Sequence, residues 1–143
     1  MASFNRVGIL AHPLRPQTAP VARTVTATLK AHSIQTWTRT SWAPDDVRGD
    51  VAESDLVVAI GGDGAMLRAA RVCAEYGVPV LGINKGQLGF LTEIDDPANW
   101  PAYVGRLMAG DYWIEERMML RATVLRNGEL IGQAEALNDV VVG

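Results

Sequence analysis

Residues 56–68 read Leu-Val-Val-Ala-Ile-Gly-Gly-Asp-Gly-Ala-Met-Leu-Arg. An apolar run ends in three glycines that enclose one carboxylate, and a helical pattern starts at once. A glycine-rich turn between a strand and a helix N-terminus offers bare amide N–H groups and the positive end of the helix dipole, which suits phosphate. Asp63 in the middle of that turn repels phosphate. Its chemistry fits another role, either accepting a proton from an attacking hydroxyl or helping to hold a divalent cation. The plainer alternative is a tight turn in which Asp63 only caps the helix. The complete tetrad Gly61-Gly62-Asp63-Gly64 behind an apolar run favours a nucleotide site. So does a second glycine-bearing stretch, Gly82-Ile83-Asn84-Lys85-Gly86-Gln87-Leu88-Gly89-Phe90-Leu91. Two such turns after successive parallel strands could wall one crevice. Neither turn is a Walker A loop or a dinucleotide Gly-x-Gly-x-x-Gly fingerprint.

Arg68 lies in the first turns of the helix, where long side chains lean back toward the N-terminus. It is either an anion contact at the turn or a solvated arginine beside Glu75. Asn138-Asp139 interrupts an apolar run, where a polar pair is costly to bury without partners. It is either a turn at a strand start or a binding pair. His12 and His32 lack a partner at metal-ligand spacing and read as surface or capping residues. Lys85 reads as an exposed loop lysine, and Cys73 as core.

The elements that must position these residues alternate. Arg6–Ala11 reads as a buried strand closed by His12-Pro13. A helix begins near Pro16, with Val21, Val25 and Leu29 as its stripe. Ile34–Thr38 is a short strand, and 41–54 reads as acidic loop. Asp55–Ile60 is a second buried strand. The helix after it places Met66, Ala70 and Cys73 on one face and stops at Gly77. Val80–Ile83 is a third strand. A helix starts at Asp96-Pro97 or Asn99-Trp100-Pro101 and ends at Gly110. Then the texture changes: Met118–Arg126, a type I′ Asn127-Gly128 turn and Glu129–Leu137 form a hairpin. Residues 137–143 read as a further strand beginning. Two domains follow from this. Residues 1–112 form an α/β nucleotide-binding domain with an open, mostly parallel sheet flanked by helices. Residues 113–143 form the start of an all-β domain, too small to bury a core alone.

The chain has 143 residues and a formal net charge of −3, with one cysteine. No basic stripe points to nucleic acid or an anionic membrane. No apolar stretch resembles a signal peptide or a membrane span. A cytoplasmic protein is the expectation.

Three segments together resemble bacterial NAD kinase. Gly61-Gly62-Asp63-Gly64 with Met66-Leu67-Arg68-Ala69-Ala70 looks like the family signature, residues 82–91 are similar to its second glycine loop, and Ala136-Leu137-Asn138-Asp139 looks like its Asn-Glu/Asp motif. The resemblance implies a Rossmann-like N-terminal domain followed by a β-rich domain. It implies phosphoryl transfer from ATP, or polyphosphate, with Mg²⁺ or another divalent cation, to the adenosine-ribose 2′-hydroxyl of NAD. No metal site of the chain's own is implied. By the same resemblance Asp63 is the proton acceptor, Gly61, Gly62 and Gly64 form the phosphate loop, and Gly64 contacts NAD. Arg68 lies near the nucleotide's phosphates, Phe90 lines the crevice, and Asn138 and Asp139 bind NAD through ribose hydroxyls. The full protein would be a dimer or tetramer, and this chain an N-terminal fragment inactive alone. Ala65 departs from the usual Thr, and Asp139 stands where Glu is also common. The tetrad also occurs in lipid kinases and resembles a sugar-phosphate kinase motif. A lipid or sugar-phosphate kinase, or a non-catalytic nucleotide-binding domain, are therefore the alternatives.

Overall fold

The computed structural model describes residues 4–12, 15–40, 44–84, 94, 96–112 and 119–137. Two compact units divide the chain, Met1–Trp113 and Ile114–Gly143. In the first, β1 (Arg6–Ala11), β2 (Gln35–Arg39), β3 (Leu56–Gly61) and β4 (Val80–Asn84) form one sheet in the order β2-β1-β3-β4. All three pairings are parallel. Four helices accompany it: α1 (Thr18–Ala31), α2 (Pro44–Ala52), α3 (Asp63–Ala74) and α4 (Trp100–Ala109).

Side chains alternate across a strand, so each strand of a doubly covered sheet serves two cores. Val7, Ile9, Val58, Ile60 and Ile83 pack with Val25 and Leu29 of α1 and Trp100 and Val104 of α4. Leu10, Val57 and Ala59 pack on the opposite face with Trp37, Val47 and Val51 of α2, and Ala69, Val72 and Cys73 of α3. The Trp37 ring lies against Gly8, where a Cβ would collide with it. Its indole Nε1–H donates to Ser54 Oγ at 2.7 Å, and that hydroxyl donates to the Asp50 carbonyl at 2.7 Å.

The boundaries follow local chemistry. Asp96 accepts from the Ala98 amide at 3.0 Å and caps a short 3₁₀ turn, Pro97–Asn99, that runs into α4. Both expected start signals are thus used, one after the other. Gly110 ends α4 with φ 74°, a left-handed cap. In the second unit β5 (Met119–Arg126) and β6 (Glu129–Leu137) pair antiparallel. Asn127 and Gly128 both have positive φ, as a type I′ turn requires.

Two local expectations change. Residues 44–52 form α2 rather than loop, because Val47 and Val51, one helical turn apart, are both buried against the sheet. The buried face of α3 is Ala65, Ala69, Val72 and Cys73, with Met66 only partly covered. The stripe is rotated by about one residue, since Ala65 packs directly onto Gly61. The expected strand beginning after Leu137 falls on 138–143, outside the described residues.

Two outcomes are expected. Gly8→Ala forces a methyl into the Trp37 ring and lowers unfolding free energy by about 1–3 kcal/mol, read from urea midpoints. Burial pushes the Cys73 thiol up from 9.0 to about 12. The unfolded thiol ionises first, so Cys73 contributes stability that is whole below pH 9 and fades as pH rises toward 12. Cys73→Ala flattens that part of the pH–stability curve. Near neutral pH a thiol reagent labels Cys73 only as the chain unfolds.

Candidate functional site

The strand order decides where a ligand can enter. From β1 the chain leaves over one face through α1 toward β2. From β3 it leaves over the opposite face through α3 toward β4. The connections diverge between β1 and β3, which makes a switch point, and the crevice lies beyond the carboxyl ends of those two strands. The turn Gly61–Gly64 follows β3 there, and His12, directly after β1, lies beside it.

Each residue of the turn has its own reason to be there. Gly61 closes β3 with φ 156°, and a Cβ on it would lie 2.9 Å from Ala65 Cβ and 3.7 Å from His12 Cδ2. Its lack of a side chain is what lets α3 approach, whereas His12 stands at ordinary contact distance. Gly62 is the N-cap of α3, in an extended conformation any residue adopts, and it offers no side-chain cap. Asp63 is the first helical residue, not the cap, and is half-buried. The capping alternative is therefore not the one adopted. Gly64 sits exposed in the first turn. A Cβ on Gly62 or Gly64 would meet no atom within 4 Å. Neither packing nor backbone demands glycine at these two positions, and among the described residues the space beside them is open.

The charges around the turn are unequal. Burial lowers the pKa of His12 from 6.5, and the positive charges of Arg15 and then Arg68 lower it further. Arg6, Arg39, Arg48 and Arg106 each have a carboxylate partner within 4 Å. Arg15 and Arg68 have no such partner among the described residues. On the far side, Asn84 pairs with Gly61 in the β3–β4 ladder and lies on the same sheet face. It is 7% exposed, and its Oδ1 has no hydrogen-bond partner among the described residues. Its backbone N–H donates to the Ile94 carbonyl at 2.7 Å, and the Ile94 N–H donates to the Gly82 carbonyl at 3.0 Å. The chain therefore returns to the end of β4 after the second glycine stretch.

Of the residues expected from sequence, Gly61, Gly62, Asp63 and Gly64 form the turn into α3, and Arg68 is exposed further along that helix. Phe90, Asn138 and Asp139 lie outside the described residues, as do Lys85, Gly86 and Gly89. Sequence reasoning does not single out His12, Arg15 and Asn84, which the structure places around this turn and at the neighbouring strand end. The signal for them is topological, because only the strand order puts the end of β1 beside Gly61.

The chain matches the family model described as ATP-NAD kinase N-terminal domain over residues 28–112. It is 45% identical over 119 residues to the NAD kinase of Pseudomonas fluorescens (strain SBW25), covering 83% of this chain and 37% of that protein. It is 41% identical over 150 residues to the NAD kinase of Natranaerobius thermophilus, covering 97% of this chain and 51% of that protein. Among solved structures it is similar to yeast NADH kinase complexed with NADH, with a TM-score of 0.75 and 17% identity, over 95% of this chain and 47% of that one. That likeness speaks for the fold. The chain thus spans about half or less of the relatives it matches. With the glycine–aspartate turn at the switch point of a parallel sheet, and the family match covering most of that sheet, the chain belongs to the NAD kinase family.

Proposed function

We propose that the protein containing this chain transfers the terminal phosphoryl group of ATP, or of polyphosphate, to the 2′-hydroxyl of the adenosine ribose of NAD. The observation that carries this reading is the placement of Asp63. Its carboxylate is at the first position of α3, on the rim of the crevice, between two glycines that leave room for a ligand. In the step, the 2′-oxygen attacks the γ-phosphorus and the O–P bond forms. The bond from that phosphorus to its β,γ-bridging oxygen breaks, ADP leaves, and the hydroxyl proton passes to the Asp63 carboxylate. The open side of Gly62 and Gly64 lets phosphate oxygens approach the amides at the positive end of α3. Arg68 offsets phosphate charge, Gly64 lies against NAD, Phe90 lines the crevice, and Asn138 and Asp139 hold ribose hydroxyls.

A divalent cation would arrive on the donor's phosphates, where it neutralises charge. Among the described residues no group of three or more His, Cys, Asp or Glu is placed to hold a metal. Asp63 is the one carboxylate of the turn able to contact an ion carried in by the donor. No helix of the described residues is long and apolar enough to cross a membrane. Action in the cytoplasm, as a dimer or tetramer, is part of the same proposal. So is the view that residues 113–143 begin a β domain, without which this chain has little or no turnover.

In the complete kinase Asp63→Asn lowers kcat by about 10²–10⁴ while the KM for NAD changes little, measured in steady-state assays. Turnover near wild type rejects Asp63 as the base. Gly64→Ala gives opposite signs for stability and binding. An exposed helical glycine costs about 0.5–1 kcal/mol relative to alanine, so the ligand-free chain becomes more stable by that amount. Nucleotide-induced thermal stabilisation falls, because the methyl occupies ligand space. A destabilised free chain would mean that Gly64 is kept for folding instead.

A further inference from the structure

The rings of Phe4 and Tyr112 stack, with centroids 5.4 Å apart and planes 29° from parallel. Phe4 is firmly seated. Directly after it, the Asn5 and Arg6 amides both donate to Asp55 Oδ2, at 2.8 and 3.0 Å. The Asn5 carbonyl accepts from the Gln35 amide at 2.9 Å, and the Arg6 carbonyl from the Asp55 amide at 2.8 Å. The heads of β1, β2 and β3 thus hold one segment, and Phe4 packs against the apolar core on the α1 and α4 side of the sheet. Tyr112 lies where the chain leaves the first unit, which ends at Trp113. Helix α4 stops at the left-handed Gly110, and the Asp111 amide donates to the Arg106 carbonyl at 2.9 Å. The Arg106–Asp111 ion pair, at 3.3 Å, is exposed on both sides and contributes little. The stack on Phe4 then joins the outgoing chain to the amino end of the sheet.

All strands of that sheet are parallel, so Tyr112 stands at the end remote from the Gly61–Gly64 turn. The hairpin register gives this a consequence. Met119 pairs with Leu137, so the chain that continues into Asn138 and Asp139 sets out beside the first residue of β5, not from the hairpin tip. The seven peptide steps from Tyr112 to Met119 reach at most about 25 Å. A six-residue strand such as β3 is already about 20 Å long. A link that must bring Asn138 and Asp139 to the carboxyl ends of the strands therefore has little slack. We propose that Phe4 and Tyr112 are positioning residues: their stack fixes the point from which the chain leaves the first unit, and so sets how often Asn138 and Asp139 stand where NAD binds. The inference rests on the kinase reading for the role of those two residues. The clasp itself is a property of the first unit.

In the complete kinase Phe4→Ala and Tyr112→Ala each raise the KM for NAD about tenfold, the factor by which the competent arrangement is depopulated. The double variant is no worse than either single one, because both break the same contact. Phe4→Tyr, which keeps a stacking ring, retains the wild-type KM. Arg106→Ala, which removes the exposed ion pair in the same turn, leaves it unchanged. A role in folding alone lowers turnover through the folded fraction and does not move KM. In the 143-residue chain, Phe4→Ala lowers the heteronuclear NOE of the Tyr112 amide, while the amides of β3 keep theirs. An unchanged KM for NAD in either single variant, an additive double variant, or a Tyr112 amide that stays ordered without Phe4 would each overturn the clasp. If the complete protein does not phosphorylate NAD at all, the kinase reading falls, and the Tyr112 amide still decides whether the clasp exists.

Discussion

Everything in the site depends on a close approach at Gly61. There the end of β3, the first buried residue of α3 and the residue following β1 come together, and a single methyl group would lie 2.9 Å from Ala65 Cβ. Because α3 can start that close to the sheet, its N-terminal amides and Asp63 stand at the rim of the crevice rather than a turn above it. Because β1 pairs with β3 in parallel register, Ala11 beside Ile60, His12 arrives beside the same glycine. One absent side chain thus sets how closely α3 and Asp63 approach the end of β3.

The cores on either face of the sheet hold this arrangement rigid. Val58 and Ile60 anchor β3 toward α1 and α4, and Val57 and Ala59 anchor it toward α2 and α3. A strand buried on both faces leaves the following turn little freedom to shift. On the β1 side, the Trp37 ring over Gly8 ties β1 to β2. The glycines therefore divide by role. Gly8 and Gly61 exist for packing, whereas Gly62 and Gly64 border open space. That contrast is what the proposed ligand role of Gly62 and Gly64 rests on.

Much of this is legible in the sequence because the strands of a buried parallel sheet are unbroken apolar runs. Arg6–Ala11, the run ending at Ile60 and Val80–Ile83 stand out on that ground, and their boundaries shift by only a residue. The turn itself is legible because glycines surrounding a carboxylate are a costly pattern without a use. Helix α2 is not, because Pro44, Gly49 and its acids mask a helix that rests on only two buried valines. Nor is the order of the strands. Periodicity says which residues are buried but not which strand lies beside which, so the sequence points to the ends of β3 and β4 as the walls of the crevice. The strand order adds a switch point between β1 and β3, where a histidine that reads as a capping residue lies against the glycine–aspartate turn, while most of the second glycine stretch, residues 85–91, lies outside the described residues.

If Gly61–Gly64 and the end of β1 border one ligand site, a single nucleotide must perturb both at once. Amide NMR of the 15N-labelled chain, titrated with a magnesium complex of a non-hydrolysable ATP analogue, reads this residue by residue. Shift changes are expected to concentrate at Gly62, Asp63, Gly64, His12 and Arg15, with amides of α4 and the hairpin strands unmoved. Changes spread over the whole surface, or confined to residues remote from the carboxyl ends of β1 and β3, would show that no such shared site exists.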